Sequence, residues 1–342
     1  MKKENTKYIG IDIGGAHLKC VGIDEFKKIS YTKYESYQIW NDKKVLLQKL
    51  NQINNEVNNN KLTYGITMSA ELCDNFPNRK IGSKYIIEAC NLLKSKKLFY
   101  SNKSLLFSSK FKMENLMSMN WHAIGKLCEN KIKDSIIIDF GSTTTDFLCI
   151  KNFKLRNKGI SDFERINNNE LIYKGLIRTP IFGIKKKIEF KKKYYNLIPE
   201  IFSDMADVYR VTKLLKKDVD IDRTADASSK SIRNSMIRIA RNFGFDYNNS
   251  KKKLILEICD ELYSSQLNEI KNNIDFLRKK YKISWQCPII LCGIGQEILM
   301  NYLNKKLKNV IFLSDFLGFK QYKKASYHAP ALSIALLLFE KN

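Results

Sequence analysis

The sequence predicts an α/β fold of two similar lobes facing each other across a central cleft. Three observations predict it. Residues 135–150 hold two apolar, β-branched runs, Ile136–Ile138 and Phe147–Ile150, parted by a turn; this is a buried strand and its hairpin partner. Residues 8–24 repeat the design, with strand Tyr8–Ile13 turning at Gly14 and Gly15 and returning along Leu18–Ile23. Each first strand ends in Asp-x-Gly, at Asp12 and at Asp139. The two copies lie too far apart for a solenoid repeat and suit paired lobes.

The elements follow in order. Ile29–Tyr34 is a third antiparallel strand. Leu46, Leu50, Ile53 and Val57 recur at helical spacing, so residues 43–58 are an amphipathic helix. Strand Leu62–Thr67, helix Lys84–Leu93 and strand Leu98–Tyr100 complete the order of a ribonuclease-H-like lobe, and residues 115–128 form a connecting helix. The second lobe opens at Asp134. After its hairpin, Leu171–Ile177 alternates as a strand, with Arg178 and Thr179 at its end before Pro180 stops it. A helix starts near Phe202 with Ser203 as N-cap. Asp222–Asp226 is a polar loop. Ile232, Met236, Ile239, Ala240 and Phe243 share one helical face, and Tyr263, Leu267, Ile270, Ile274 and Leu277 mark a long helix or a helix pair. Pro288–Cys292 is a strand entering the Gly293–Gly295 turn and helix Gln296–Leu303, an anion- or nucleotide-friendly corner. Val310–Leu313 is a further strand. Ala329–Phe339 is a buried terminal helix. The predicted lobes are therefore 1–130, with 325–342 folding back onto it, and 134–324 with a helical insertion.

A chain of 342 residues, 44% hydrophobic, can bury real cores. Its net charge of +25 is spread along the whole length among many asparagines, as in Asn54–Lys61. Lys185–Lys187 and Lys191–Lys193 lack the interleaved pattern of an RNA reader. No specific nucleic-acid partner is predicted, although such a field favours a phosphorylated ligand. Eight cysteines without a C-x-x-C pair fit free thiols in a reducing, cytoplasmic setting, and three scattered histidines do not make a zinc site. The longest apolar run, around Ala335–Phe339, is too short to span a bilayer. Oligomeric state is not legible.

The hairpin turn from Asp139 to Asp146 holds Gly141 and four hydroxyls. Glycine admits close backbone approach, and amides and hydroxyls donate to phosphate oxygens. Lys19 sits near the mouth of the first hairpin. Acids at strand ends are costly to bury without a ligand, which marks Asp12 and Asp139.

Asp12-Ile-Gly-Gly15 and Asp139-Phe-Gly-Ser-Thr-Thr-Thr-Asp146 resemble the two phosphate motifs of the actin, sugar-kinase and heat-shock-chaperone superfamily, and Cys292-Gly-Ile-Gly295 resembles its adenosine motif. Thr67–Asp74, Arg178-Thr-Pro180, Ala206-Asp-Val-Tyr209 and Thr224-Ala-Asp226 look like one subfamily of the hydantoinase/oxoprolinase branch. These are the tetrahydromethanopterin-linked C1 transfer pathway proteins, whose archaeal members make methanofuran precursors. The resemblance runs from residue 7 to about residue 335.

It implies the actin-like ATPase fold of two ribonuclease-H-like lobes. It also implies a transferase in which the phenol of γ-glutamyl-tyramine attacks the methylene of an aminomethylfuran methyl diphosphate, forming an ether and releasing pyrophosphate. On this resemblance Gly14, Gly15, Gly141, Ser142, Thr143, Thr144 and Thr145 grip phosphates, and Gly293 and Gly295 line the adenosine-type corner. Lys19 and Arg178 are counter-charges. Asp12 and Asp139 position Mg²⁺, and either Glu71 or Asp146 takes the phenol proton. ATP stays open as a ligand. Two rivals remain: an ATP-dependent small-molecule kinase or hydantoinase-like hydrolase of the same fold, and a non-catalytic scaffold or nucleic-acid binder.

Overall fold

The computed structural model describes residues 5–57, 61–102, 107–108 and 111–341. Asn58, at the end of the predicted helix, and the chain ends Met1 and Asn342, which bound the predicted first lobe, lie outside the described residues.

Two mixed sheets carry the chain, one in each lobe. In the first, β1 (Tyr8–Ile13), β2 (His17–Ile23) and β3 (Ile29–Ser36) form an antiparallel meander. Helix α1 (Lys44–Val57) then returns the chain to β4 (Thr63–Met68), parallel to β1, and α2 (Arg79–Ala89) leads to β5 (Lys96–Tyr100) and β6 (Phe107–Ser108). The sheet order is β3-β2-β1-β4-β5-β6, with the three antiparallel and following parallel strands of a ribonuclease-H-like lobe.

Helix α3 (Asn120–Cys128) crosses to the second lobe. Its hairpin is β7 (Ser135–Phe140) and β8 (Thr145–Lys151), followed by β9 (Lys154–Leu155), α4 (Asp162–Asn167) and β10 (Leu171–Ile172). The hairpin β11 (Lys187–Phe190) and β12 (Lys193–Asn196) and the helices α5 (Met205–Val211), α6 (Ile232–Arg241) and α7 (Lys252–Tyr281) come next. The chain then completes the sheet with β13 (Ile289–Cys292), α8 (Gln296–Leu303) and β14 (Val310–Phe312), and leaves through α9 (Leu313–Phe316). The order here is β10-β8-β7-β13-β14, with β9 on β8. Helix α10 (Ala329–Lys341) packs back on β1, β2 and β4 of the first lobe and on α3.

The sequence explains these placements. The central strand β7 is buried along its whole length and β1 along all but its first residue; a continuous apolar run, rather than an alternating one, marks a strand covered on both faces. Helix α10 is apolar on nearly every side and is buried from Ala329 to Leu338, as a core helix must be. All eight cysteines are free. Among the described residues no helix is long and apolar enough to cross a membrane.

Three expectations change, and one open alternative closes. The N-cap of α5 is Asp204, whose carboxylate accepts from the Asp207 amide. The predicted cap, Ser203, instead donates its hydroxyl to Asn242 Oδ1 at 2.7 Å, inside the core. The predicted strand Leu171–Ile177 stops after Ile172, because the amides of Leu176, Ile177 and Arg178 turn to the carbonyls of Gly141 and Ser142. Helix α2 starts earlier than Lys84, since the Asn78 side chain caps Ile81. The long helical stripe is one 30-residue helix, α7, closed by Lys282 in the left-handed region.

Candidate active site

The two Asp-x-Gly corners open into one cleft of about 330 Å³. Asp12 and Asp139 stand at matching strand ends, paired across the hairpins with Lys19 and Asp146 respectively. Lys19 Nζ reaches Asp12 Oδ2 at 3.4 Å. Asp12 is 1% exposed, and its Oδ1 has no hydrogen-bond partner. Burial raises the Asp12 pKa against the pull of Lys19. Burial also pushes Asp139 up to about 7, with Lys19 opposing and the Asp146 and Asp12 carboxylates adding to the rise. Burial works against the charge on Lys19, but the surrounding carboxylates outweigh it and raise its pKa. One ammonium therefore stands among three acids, and burial together with the neighbouring carboxylates favours the protonated forms of Asp12 and Asp139.

The glycine corners supply donors. At the first, Gly14 N–H closes the turn on the His17 carbonyl. Among the described residues the amides of Gly15 and Ala16 have no acceptor. At the second, Gly141 N–H donates to the Thr144 carbonyl, and the amides of Ser142 and Thr143 are likewise without an acceptor. The second turn is held by the 174–178 segment. A Cβ on Gly175 would lie 2.4 Å from the Ser142 carbonyl carbon and the Thr143 nitrogen, so only glycine lets the segments touch. Paired free amides at a turn are an anion-binding concavity.

The four hydroxyls of the second turn have separate fates. Ser142 Oγ lies 3.2 Å from His17 Nδ1, and Thr143 Oγ1 accepts from Arg178 Nη1 at 3.5 Å. Thr144 donates to Asp146 Oδ2 at 3.2 Å. Thr145 is buried and donates to the Lys174 carbonyl at 2.7 Å, so its hydroxyl faces away from the cleft.

Of the predicted residues, Asp12, Gly14, Gly15, Lys19, Asp139, Gly141, Ser142, Thr143, Thr144, Asp146 and Arg178 line the cleft. Four do not. Thr145 is one. Glu71 is buried beneath it, taking Arg79 Nη2 at 3.0 Å and the Ser118 hydroxyl at 2.8 Å. Gly293 and Gly295 pack behind β7, where a Cβ would strike Asp139 Oδ1 at 2.2 Å and the Phe140 ring at 2.3 Å respectively. Their amides are engaged by the carbonyls of Ser326 and Phe140.

Other residues join the site that the sequence reading had not assigned to it. Trp40 of the first lobe stacks under the Arg178 guanidinium of the second, 4.1 Å from ring centre to Cζ. Arg165 lies over Trp121 at 4.1 Å and pairs with Asp146 Oδ1 at 2.7 Å. Asp162, its pKa raised by burial, and Tyr173 form the outer wall. Ser161 and Glu164 make a capping box that fixes the helix carrying Arg165, and S-x-x-E was the available signal for it. Trp40 had no such signal.

The donor set of Asp12 and Asp139 is oxygen only, and the unpartnered Asp12 Oδ1 lies in it; these residues fit a hard cation such as Mg²⁺ completed by water and phosphate. Among the described residues no cluster of three or more acids, histidines or cysteines forms an all-protein cage.

The subfamily signatures are partly structural. Asp207 accepts from Arg238 Nη2 at 2.6 Å and Arg210 Nη1 at 2.7 Å, and Arg238 Nη1 also reaches Asp226 Oδ1 at 3.1 Å. The Ala206–Tyr209 and Thr224–Asp226 segments are thereby tied through one buried arginine.

The profile of the hydantoinase/oxoprolinase family matches residues 63–316. The (4-{4-[2-(gamma-L-glutamylamino)ethyl]phenoxymethyl}furan-2-yl)methanamine synthase of Methanocaldococcus jannaschii is 31% identical over 341 residues, 96% of this chain and 97% of its own length. The protein of the same name from Methanococcus vannielii is 33% identical over 215 residues, 61% of this chain and 93% of its own. Among solved structures, a ROK family glucokinase from Streptomyces griseus in complex with glucose and AMPPNP is 10% identical, with 96% of this chain and 98% of that one covered and a TM-score of 0.49.

Proposed function

The chain belongs to the hydantoinase/oxoprolinase family, and from that premise we propose that it is a methanofuran-type transferase joining an aminomethylfuran methyl diphosphate to γ-glutamyl-tyramine. The observation that carries the reading is its end-to-end likeness to a synthase whose name describes that ether. The cleft supports it, since two glycine corners, Lys19, Arg165 and Arg178 line a common space suited to a diphosphate.

In this reading the phenol oxygen forms a bond to the furan methylene as the bond from methylene to diphosphate oxygen breaks, and that electron pair leaves with pyrophosphate. The free amides of Gly15, Ala16, Ser142 and Thr143 donate to the diphosphate. Lys19 and Arg178 neutralise the charge that grows on the leaving group, the largest electrostatic demand of the step. Asp12 and Asp139 would hold Mg²⁺, which would supply further charge neutralisation at the phosphate oxygens. Trp40 and Tyr173 offer aromatic walls to the furan and phenol rings. Asp146 lines the cleft but is paired with Arg165, and Glu71 lies behind Arg79 outside the lining, so this reading assigns the phenol proton to neither.

The kinase or hydrolase alternative needs the Gly293–Gly295 corner for adenosine, and that corner has its amides engaged and its Cα atoms against Phe140. Purified protein, Mg²⁺, the furan diphosphate and γ-glutamyl-tyramine should yield the ether and pyrophosphate by mass spectrometry. Pyrophosphate should also raise the melting temperature. A large thermal shift with Mg²⁺–ATP, none with pyrophosphate and no ether would sink the proposal in favour of the kinase.

A further inference from the structure

We infer that Ser142, His17 and Asp222 form the relay that removes the phenol proton in ether formation, a role that rests on the synthase reading above. The three residues come from distant parts of the chain. His17 opens β2 in the first lobe, Ser142 lies on the second lobe's phosphate turn, and Asp222 lies in the polar loop between α5 and α6. His17 Nε2 is 3.0 Å from Asp222 Oδ1, and His17 Nδ1 is 3.2 Å from Ser142 Oγ. The Ser36 hydroxyl donates to the same Asp222 oxygen at 2.7 Å.

The protonation states follow from the partners. Hydrogen bonds from His17 and Ser36, with the nearby Arg178 charge, outweigh burial and keep Asp222 below the usual carboxylate range. An ionised carboxylate only accepts, so Nε2 carries the hydrogen. Burial lowers the His17 pKa, with Asp222 opposing and Lys19 and Arg178 adding to the fall. The ring is therefore neutral, and Nδ1 is a bare acceptor facing the Ser142 hydroxyl. Tyr34 stacks on the ring at 4.9 Å and fixes its plane. His17 is 3% exposed, yet its edge and Ser142 both line the cleft.

The relay is placed where the reaction needs it. Ser142 belongs to the turn assigned to the diphosphate, and its hydroxyl and the His17 ring both line the cleft; in the relay the phenol is held with its oxygen beside that hydroxyl. The phenol gives its proton to Ser142 Oγ as Ser142 passes its own to His17 Nδ1. The phenol oxygen keeps the electron pair that forms the ether bond, and Asp222 stabilises the resulting imidazolium. Ser142 is the catalytic group that touches substrate; Asp222 is a positioning residue. Because His17 lies in one lobe and its two partners in the other, the base is complete only when the lobes meet.

The test compares γ-glutamyl-tyramine with an analogue fluorinated at both positions beside the phenol oxygen, a more acidic nucleophile that depends less on a base. Ether formation is followed by mass spectrometry with Mg²⁺ and the furan diphosphate. His17→Gln should lower kcat by about 10²–10⁴-fold with the ordinary substrate, leave KM for the diphosphate nearly unchanged, and recover at least roughly tenfold of that deficit with the fluorinated one. Ser142→Ala should behave the same way with the wild-type melting temperature, and Asp222→Asn should match His17→Gln by admitting the wrong tautomer. An equal deficit with both nucleophiles marks a merely structural role and overturns the relay, as does full activity of His17→Gln. No ether from the wild-type protein overturns the synthase reading and the relay together, whereas a normal wild type with indifferent variants overturns the relay alone.

Discussion

Replacing Asp139 with Asn should stabilise the fold at pH 8 while abolishing activity. The magnitude comes from one carboxylate. Burial lifts Asp139 from an ordinary 3.8 to about 7, and it is 8% exposed. At about 1.4 kcal/mol per pH unit, that displacement corresponds to roughly 4 kcal/mol of stability lost when the acid ionises in the fold. The sign follows from proton counts. Between 3.8 and 7 the folded protein binds a proton that the unfolded chain has released, so this contribution is complete below pH 3.8, falls as the pH rises and levels off above 7. Asn cannot ionise and escapes the loss, although Lys19 then keeps fewer negative neighbours, which trims the gain to about 2–4 kcal/mol. Urea unfolding of both proteins at pH 4, 6 and 8 measures it. The advantage of the variant should be small at pH 4, grow through pH 6 and level off near pH 8. A pH-independent difference, or a less stable variant at pH 8, would refute the electrostatic reasoning. A fully active variant would refute the role of Asp139 as a metal and diphosphate anchor.

Three further outcomes are expected. Lys19→Met removes the cation beside Asp12, so the Asp139 pKa should climb further and the acidic limb of the activity profile should move to higher pH, with kcat down at least about a hundredfold; an unmoved limb contradicts the assignment. Gly175→Ala forces a Cβ against the Ser142–Thr143 peptide, costing about 1–3 kcal/mol in thermal unfolding and raising KM for the diphosphate as the phosphate turn shifts. Asp207→Asn removes one carboxylate from the buried Arg238 and Arg210 guanidinium groups, which keep Asp226 and Asp220 respectively, and should cost about 1–3 kcal/mol in stability; a variant that melts like the wild type would show that the network is dispensable.

The sequence by itself was enough for the two lobes, because hairpins such as Tyr8–Ile23 and Ile136–Ile150 are local, and alternation, apolar runs and glycine turns encode them within a few residues. The acids Asp12 and Asp139 were legible for the same reason: a carboxylate ending a buried strand stands out against its neighbours. What only the tertiary structure decided is where each side chain spends its hydrogen bonds. Nothing near Thr145 in the chain says that its hydroxyl goes to Lys174 rather than to the cleft, and nothing near Ser203 says that Asn242 takes it from the cap. Likewise Arg178 finds Trp40, and His17 finds Asp222, only after the lobes close. Local pattern reports the period of burial, but partners far apart in sequence are chosen by packing, and the chemistry of this cleft lies in those choices.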